Sequence, residues 1–156
     1  MFDTHSDRDM FTKFLAITSI NTSVVANVTL AKKAYRQYID GRPFRGFLPM
    51  VIEKLEVARD GQAPQGRKIY NFYKALMGVH GAVVVDRWIL RAYGFKSMTP
   101  GRYDYIERHI TRLAKEEGFT PREYQAMVWG GVKTLSPKWR STASFADHMS
   151  QLELRL

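Results

Sequence analysis

Apolar residues recur every three or four positions along most of this chain, which is the pattern of amphipathic α-helices. Three such runs are each followed by a glycine that can end a helix: 24–38, 52–58 and 69–76. A first short helix is predicted around residues 11–18. Pro49 is placed to open the helix that carries the run 52–58. The β-branched start of the run at Val24 leaves a strand open at that point.

Two further helix starts are marked by capping residues. Thr99-Pro100 combines an N-cap residue with proline at the first helical position, and Gly118 follows as a stop. Thr120 and Glu123 form a capping box, and the helix that they open should end before Pro137.

The run Val83-Val84-Val85 has two interpretations. Three valines usually favour a strand, but this run is short and no partner strand is evident. We interpret it as a buried extended entry into a helix that begins at Asp86.

The predicted fold class is therefore all-α, with about seven or eight helices. We expect one domain over 1–156, with a core at about 11–135 and a tail at 138–156 that either adds an amphipathic helix or is partly loose.

Composition allows a hydrophobic core and argues against several classes of site. Hydrophobic residues make up 45% of the chain and aromatic residues 13%. No apolar run approaches the roughly 20 residues of a membrane span, and residues 1–10 do not resemble a secretory signal. We expect an intracellular, cytoplasmic protein with no membrane partner. The absence of cysteine excludes disulfides, thiolate zinc sites and iron–sulfur clusters, and the four histidines lack ligand spacing. We expect no metal and no cofactor.

The charge of the chain favours an anionic partner. The formal net charge is +9 at pH 7, which attracts polyanions and releases their counterions on binding. A basic but otherwise ordinary protein is the alternative that charge alone leaves open.

The segment 66–86 carries the most specific pattern. Gly66-Arg67-Lys68 opens one predicted helix, and Asp86, 18 positions after Lys68, opens the next. This segment resembles the active-site segment of the helix-hairpin-helix DNA glycosylases, especially the endonuclease III type. The resemblance implies a compact fold of two helical lobes around a cleft, with Lys68 as the nucleophile and Asp86 as its supporting carboxylate. The chain departs from many endonuclease III relatives in lacking an iron–sulfur cluster.

Other stretches extend the resemblance over roughly residues 11–135. The turn Pro64-Gln65-Gly66-Arg67 is similar to the family's hairpin, although the first of its two glycines is missing, and implies DNA-backbone contacts from Gln65, Gly66 and Arg67. Asn21 stands where the family has a glutamine that fills the gap left by a flipped base. Arg87 follows Asp86 and could reach a phosphate.

Four aromatic residues could stack on a flipped base, although core packing is the alternative for each. They are Tyr70, Tyr73, Trp88 and Tyr93. Considered without the resemblance, Lys68 could equally be a solvated surface lysine and Asp86 a plain N-cap. Trp129 is interpreted as a core residue.

The resemblance implies an enzyme of base excision repair. This would be a DNA N-glycosylase with AP-lyase activity, acting as a monomer on a damaged or modified base flipped from double-stranded DNA, and nucleoid-associated in a prokaryote or phage. A non-catalytic DNA-binding module on the same scaffold is the first alternative. A protein-interaction or inhibitor domain that keeps only the scaffold is the second.

Overall fold

The computed structural model describes residues 5–134, and within them every regular element is an α-helix. This confirms the all-α class for that part of the chain. The predicted tail at 138–156 lies outside the described residues. The seven helices of the described part are α1 His5–Thr18, α2 Val24–Ile39, α3 Pro49–Arg59, α4 Arg67–Leu76, α5 Arg87–Ala92, α6 Pro100–Glu117 and α7 Pro121–Thr134.

Contacts divide the chain into two compact units. The first, Met1–Met77, contains α1 to α4, and the second, Gly78–Leu156, contains α5 to α7. The expectation of a single domain over 1–156 stays a prediction.

Helix α1 lies at the centre of the first unit, and α2, α3 and α4 all pack against it. Every residue from Met10 to Thr18 is buried, as expected for a helix surrounded by others. The helix begins at His5, earlier than the sequence predicted. The reason is that its first turns are polar and half exposed, so they carry no apolar stripe that a periodicity search can detect.

Buried polar side chains within the first unit are paired. Lys13 bridges Asp9 at 3.0 Å and donates to the Gly61 carbonyl oxygen at 3.0 Å. The hydroxyl of Tyr73 donates to the other Asp9 oxygen at 2.5 Å. Burial and this hydrogen bond to the carboxylate raise the pKa of Tyr73 to about 12, so the phenol stays protonated. These contacts join α1 to α4 and to the end of α3.

Local signals set several helix starts as predicted. Helix α2 is helical from Val24, without a strand, because the Ser23 hydroxyl accepts from the Ala26 N–H and caps it. Thr99 caps α6 in the same way, and Gly118 ends it with a left-handed φ of 77°. The capping box is also formed, since Thr120 and Glu123 bond each other reciprocally.

The second unit is built on one hydrophobic cluster, with α7 packed against both α5 and α6. Val83 and Val85 are fully buried in this cluster, in a segment that is neither helix nor strand. The interpretation of the valine run as a buried entry to α5 is therefore confirmed. The buried members of the cluster are Val83, Val85, Ile89, Leu90, Tyr103, Ile106, Ile110 and Trp129.

Candidate functional site

The turn before α4 has the backbone geometry that the sequence predicted. Gly66 has φ 97° and ψ 130°, a conformation that side chains with a Cβ rarely adopt, and it is the N-cap of α4. Gln65, Gly66 and Arg67 are exposed, whereas Pro64 is buried beneath them. Lys68 is the second residue of α4 and is half-buried. The turn thus presents a lysine and an arginine at the positive end of a helix.

The face of α4 beyond Lys68 carries aromatic rings. Tyr70 is 41% exposed and stacks with Tyr73 at a centroid distance of 6.3 Å. The Lys74 ammonium lies 5.0 Å from the Tyr70 ring centroid. Tyr73 is anchored by Asp9, so Tyr70 is the more accessible of the two rings. Their predicted contact with a flipped base stays a prediction.

Asp86 is held at the start of α5 by three N–H donors. Its Oδ1 accepts from the backbone N–H groups of Trp88 and Ile89, each at 2.9 Å, which is the geometry of an N-cap. Its Oδ2 accepts from the Trp129 indole N–H at 2.9 Å. A simple cap needs only one oxygen, so the indole contact adds a second restraint. A carboxylate offers about four acceptor positions, and these donors leave roughly one open.

The segment that leads to Asp86 is fixed by side chains from α6 and α7. The Tyr103 hydroxyl donates to the Val83 carbonyl at 2.9 Å and accepts from the Val85 N–H at 3.2 Å. The Gln125 amide donates to the Val84 carbonyl at 2.5 Å and accepts from the Val84 N–H at 2.7 Å. These bonds satisfy backbone groups that a neighbouring strand would satisfy in a sheet. They also set the position of Asp86.

Arginine and aromatic side chains lie along α5 from its start to its end. Arg87, the first residue of α5, is exposed and lies 6.0 Å from the Trp88 ring, and Arg91 lies 5.4 Å from the same ring. Tyr93 hydrogen-bonds the Nδ1 of His109 at 2.9 Å. Burial, and then the neighbouring tyrosines, raise the pKa of Tyr93. Trp88 and Tyr93 are partly buried against the core cluster, so each combines core packing with some exposed ring.

Asn21 lies in the turn between α1 and α2. It is exposed and has a left-handed φ of 54°, which asparagine tolerates better than most residues. Asn21, Gln65, Gly66, Arg67 and Lys68 all belong to the first unit, whereas Asp86 and Arg87 belong to the second.

Sequence reasoning missed the side chains that orient Asp86. Trp129 is buried as predicted, but its indole N–H bonds a carboxylate 43 positions away. Gln125 and Tyr103 likewise act on residues 41 and 18 to 20 positions distant. No local signal marks such partners. The only available hint was that a buried indole needs an acceptor.

None of the helices between residues 5 and 134 combines the length and apolar content that a bilayer crossing requires. Across that same range, His, Asp and Glu side chains form no group of three or more that could hold a metal ion.

Fold and site together define an all-α protein with a lysine at one helix start and a restrained carboxylate at another. Residues 3–136 match the model of the DUF7178 family, a family of unknown function, and the chain belongs to that family. Neither the curated proteins nor the solved structures include a match to it. Family membership names no activity, so a function has to be argued from the site.

Proposed function

We propose that this chain is a DNA N-glycosylase with AP-lyase activity of the helix-hairpin-helix type. The observation that carries the proposal is the Asp86 carboxylate, which is restrained by three N–H donors at a helix start. It is supported by Lys68, at the start of α4, and by the net charge of +9. The proposal includes the glycosylase fold, with Lys68 as the nucleophile and Asp86 as the supporting carboxylate.

Base removal creates positive charge on the sugar, and Asp86 suits that step. The transition state has oxocarbenium character, and a carboxylate of fixed position stabilises it without reorganising. The free acceptor position on Asp86 is the one that would face the sugar. The three donors keep the carboxylate from rotating away, and this is the function of the Trp129 contact in the proposal.

Lys68 suits the covalent step. Its amine attacks the anomeric carbon, the bond to the base breaks, and the base leaves with a proton. The nitrogen lone pair then opens the sugar ring by breaking the C1′–O4′ bond, and a proton moves from the nitrogen to O4′, which gives the Schiff base that permits strand cleavage. Lys68 is the second residue of α4 and is half-buried, which places its amine at the helix start where the proposal requires it.

The turn at 64–67 suits the DNA backbone. Gly66 has no side chain, so a phosphate can approach the chain closely there. Gln65 and Arg67 are exposed beside it, and a guanidinium binds phosphate oxygens with two parallel hydrogen bonds. Asn21 and Arg87 are exposed as well, and the proposal assigns them contacts to the flipped-base gap and to a phosphate.

Borohydride trapping on abasic DNA tests the proposal directly. The wild-type chain should form a covalent adduct with the DNA, and Lys68→Ala should form none while still binding DNA. Lys96→Ala removes one exposed positive charge outside α4 and serves as the matched control, so its trapping should equal that of the wild type. An adduct that persists in Lys68→Ala would show that Lys68 is not the nucleophile.

Asp86→Asn separates a catalytic carboxylate from a cap. Asparagine caps a helix about as well as aspartate and its amide oxygen can still accept hydrogen bonds, so folding should be kept. Base release should fall by roughly two to three orders of magnitude, because a neutral amide stabilises a cation poorly. Wild-type rates of base release in Asp86→Asn would remove Asp86 from the mechanism.

A non-catalytic DNA-binding module is the second candidate. The three hydrogen bonds of Asp86 favour this module, because they also fit a purely structural Asp86 that caps α5 and links it to α7. In that case the wild type binds DNA with no trapped adduct. If the chain binds no DNA even at low salt, both candidates are rejected, and a protein-interaction or inhibitor domain becomes the favoured function.

A further inference from the structure

The first unit contains a hollow of about 490 Å³ beside α2, here called the α2 hollow. This volume is within the range of small-molecule sites in proteins, roughly 300–1,000 Å³. Phe11 and Tyr35 lie at its base, buried and in edge-to-face contact at 5.7 Å. None of the residues assigned to DNA or catalysis above lines it.

The wall of the α2 hollow is held by hydrogen bonds between α2 and the loop that follows it. The Gln37 amide accepts from the Arg45 N–H at 3.1 Å and donates to the Arg45 carbonyl at 3.3 Å. The Lys33 ammonium donates to the Gly46 carbonyl at 3.4 Å and lies 5.1 Å from the Phe47 ring. Gly46 has φ 78°, and a Cβ there would meet the Lys33 ammonium, so glycine permits this approach. The hollow is therefore formed by contacts of the chain itself.

The charges that line the α2 hollow are unbalanced. Lys32, Lys33, Arg36 and Arg42 line it with Asp40 as the one carboxylate among its lining residues. Asp40 is already paired with Arg42 at 3.3 Å. Lys32 and Arg36 are exposed, one helical turn apart, and the structure gives their side chains no hydrogen bond or ion pair within residues 5–134. Two adjacent cations without partners favour an anion with several oxygens.

We infer that the α2 hollow binds a nucleotide, with its phosphate on Lys32 and Arg36 and its base in the rest of the hollow. A bare inorganic anion would leave most of the hollow unfilled, whereas a phosphate joined to a sugar and a base is large enough to occupy it. This site goes beyond the proposed glycosylase site and stands on different residues. The nucleotide is either free or part of a nucleic-acid strand, and the two sources share the same chemistry.

Amide chemical shifts of the isotope-labelled full chain provide the test. The probes are deoxyadenosine monophosphate and a short single-stranded oligonucleotide, each titrated separately. Shifts at Thr29, Gln37 and Ile39 report on the α2 hollow, since all three line it. Shifts there with the monophosphate identify a free nucleotide, and shifts with the oligonucleotide alone identify a strand. If neither probe shifts these amides, the inference is overturned.

Two double variants distinguish specific binding in the α2 hollow from non-specific electrostatic attraction. Lys32→Ala/Arg36→Ala should weaken binding of the responding probe roughly tenfold or more, because two charge-assisted hydrogen bonds are lost. Arg108→Ala/Lys115→Ala removes two exposed charges from α6 and should change the affinity for that probe less than about twofold. Equal weakening by both pairs would overturn the inference. Trapping on abasic DNA by Lys32→Ala/Arg36→Ala should be kept, so this result is independent of the proposed glycosylase activity.

Discussion

Single residues decide how the entry to α5 is held. Tyr103 has only 3% of its surface exposed, and its hydroxyl serves both the Val83 carbonyl and the Val85 N–H. A buried backbone group that loses its hydrogen bond destabilises the fold. A tyrosine at this position therefore replaces part of a strand ladder.

Tyr103→Phe tests that role. Removing the hydroxyl leaves two buried backbone groups without their bonds, so we expect a loss of about 1–3 kcal/mol in the free energy of unfolding. Urea denaturation followed by circular dichroism measures it. Tyr105→Phe is the matched control, because Tyr105 is half exposed and should lose less than about 0.5 kcal/mol. Equal stability of Tyr103→Phe and the wild type would show that water replaces the hydroxyl.

At the scale of elements, the helix ends follow from residues beside them. Four residues each accept from an N–H group of the helix that they precede: Ser23, Asp86, Thr99 and Thr120. The sequence marked the last three as caps, but it did not mark Ser23. The capping box of α7 has a further consequence. Its hydrogen bonds from Thr120 lower the pKa of Glu123.

That lowered pKa makes the contribution of Glu123 depend on pH. A carboxyl group whose pKa is lower in the folded state stabilises the fold above its unfolded pKa, and this stabilisation is lost as pH falls through the folded pKa. Thermal melting of Glu123→Ala should therefore lie below that of the wild type near neutral pH, and the gap should narrow as the pH falls below about 4. Glu53→Ala is the control: it removes an exposed carboxylate that belongs to no capping box, so its melting temperature relative to the wild type should not change over the same pH range. A gap that stays constant with pH would contradict the prediction.

At the scale of the whole molecule, charge is the dominant property. A net charge of +9 on a chain of this length favours a polyanion over a neutral partner. Exposed arginines lie at two helix starts, Arg67 in the first unit and Arg87 in the second. The proposed function therefore requires DNA binding that depends strongly on salt.

Measuring the affinity for duplex DNA at several salt concentrations tests this salt dependence. Roughly four to six phosphate contacts would give a slope of log affinity against log salt of about −4 to −5. Arg67→Ala should weaken binding to unrelated duplexes about equally and flatten the slope by roughly one, because a phosphate contact carries no sequence information. Fluorescence anisotropy at several salt concentrations gives both values. A slope near zero would reject an electrostatic interface.

The sequence by itself determined the all-α class, the positions of the turns and most helix ends. These features depend on residues within one turn of each other: a cap at Thr99, a stop at Gly118 and a turn at Gly66. It also showed a lysine and an aspartate at two helix starts, as the structure has them. Only the tertiary structure decided that Lys13 is buried against Asp9 and that Trp129 bonds Asp86. Such contacts join residues of different elements, and their partners depend on how helices pack, which no local spacing encodes.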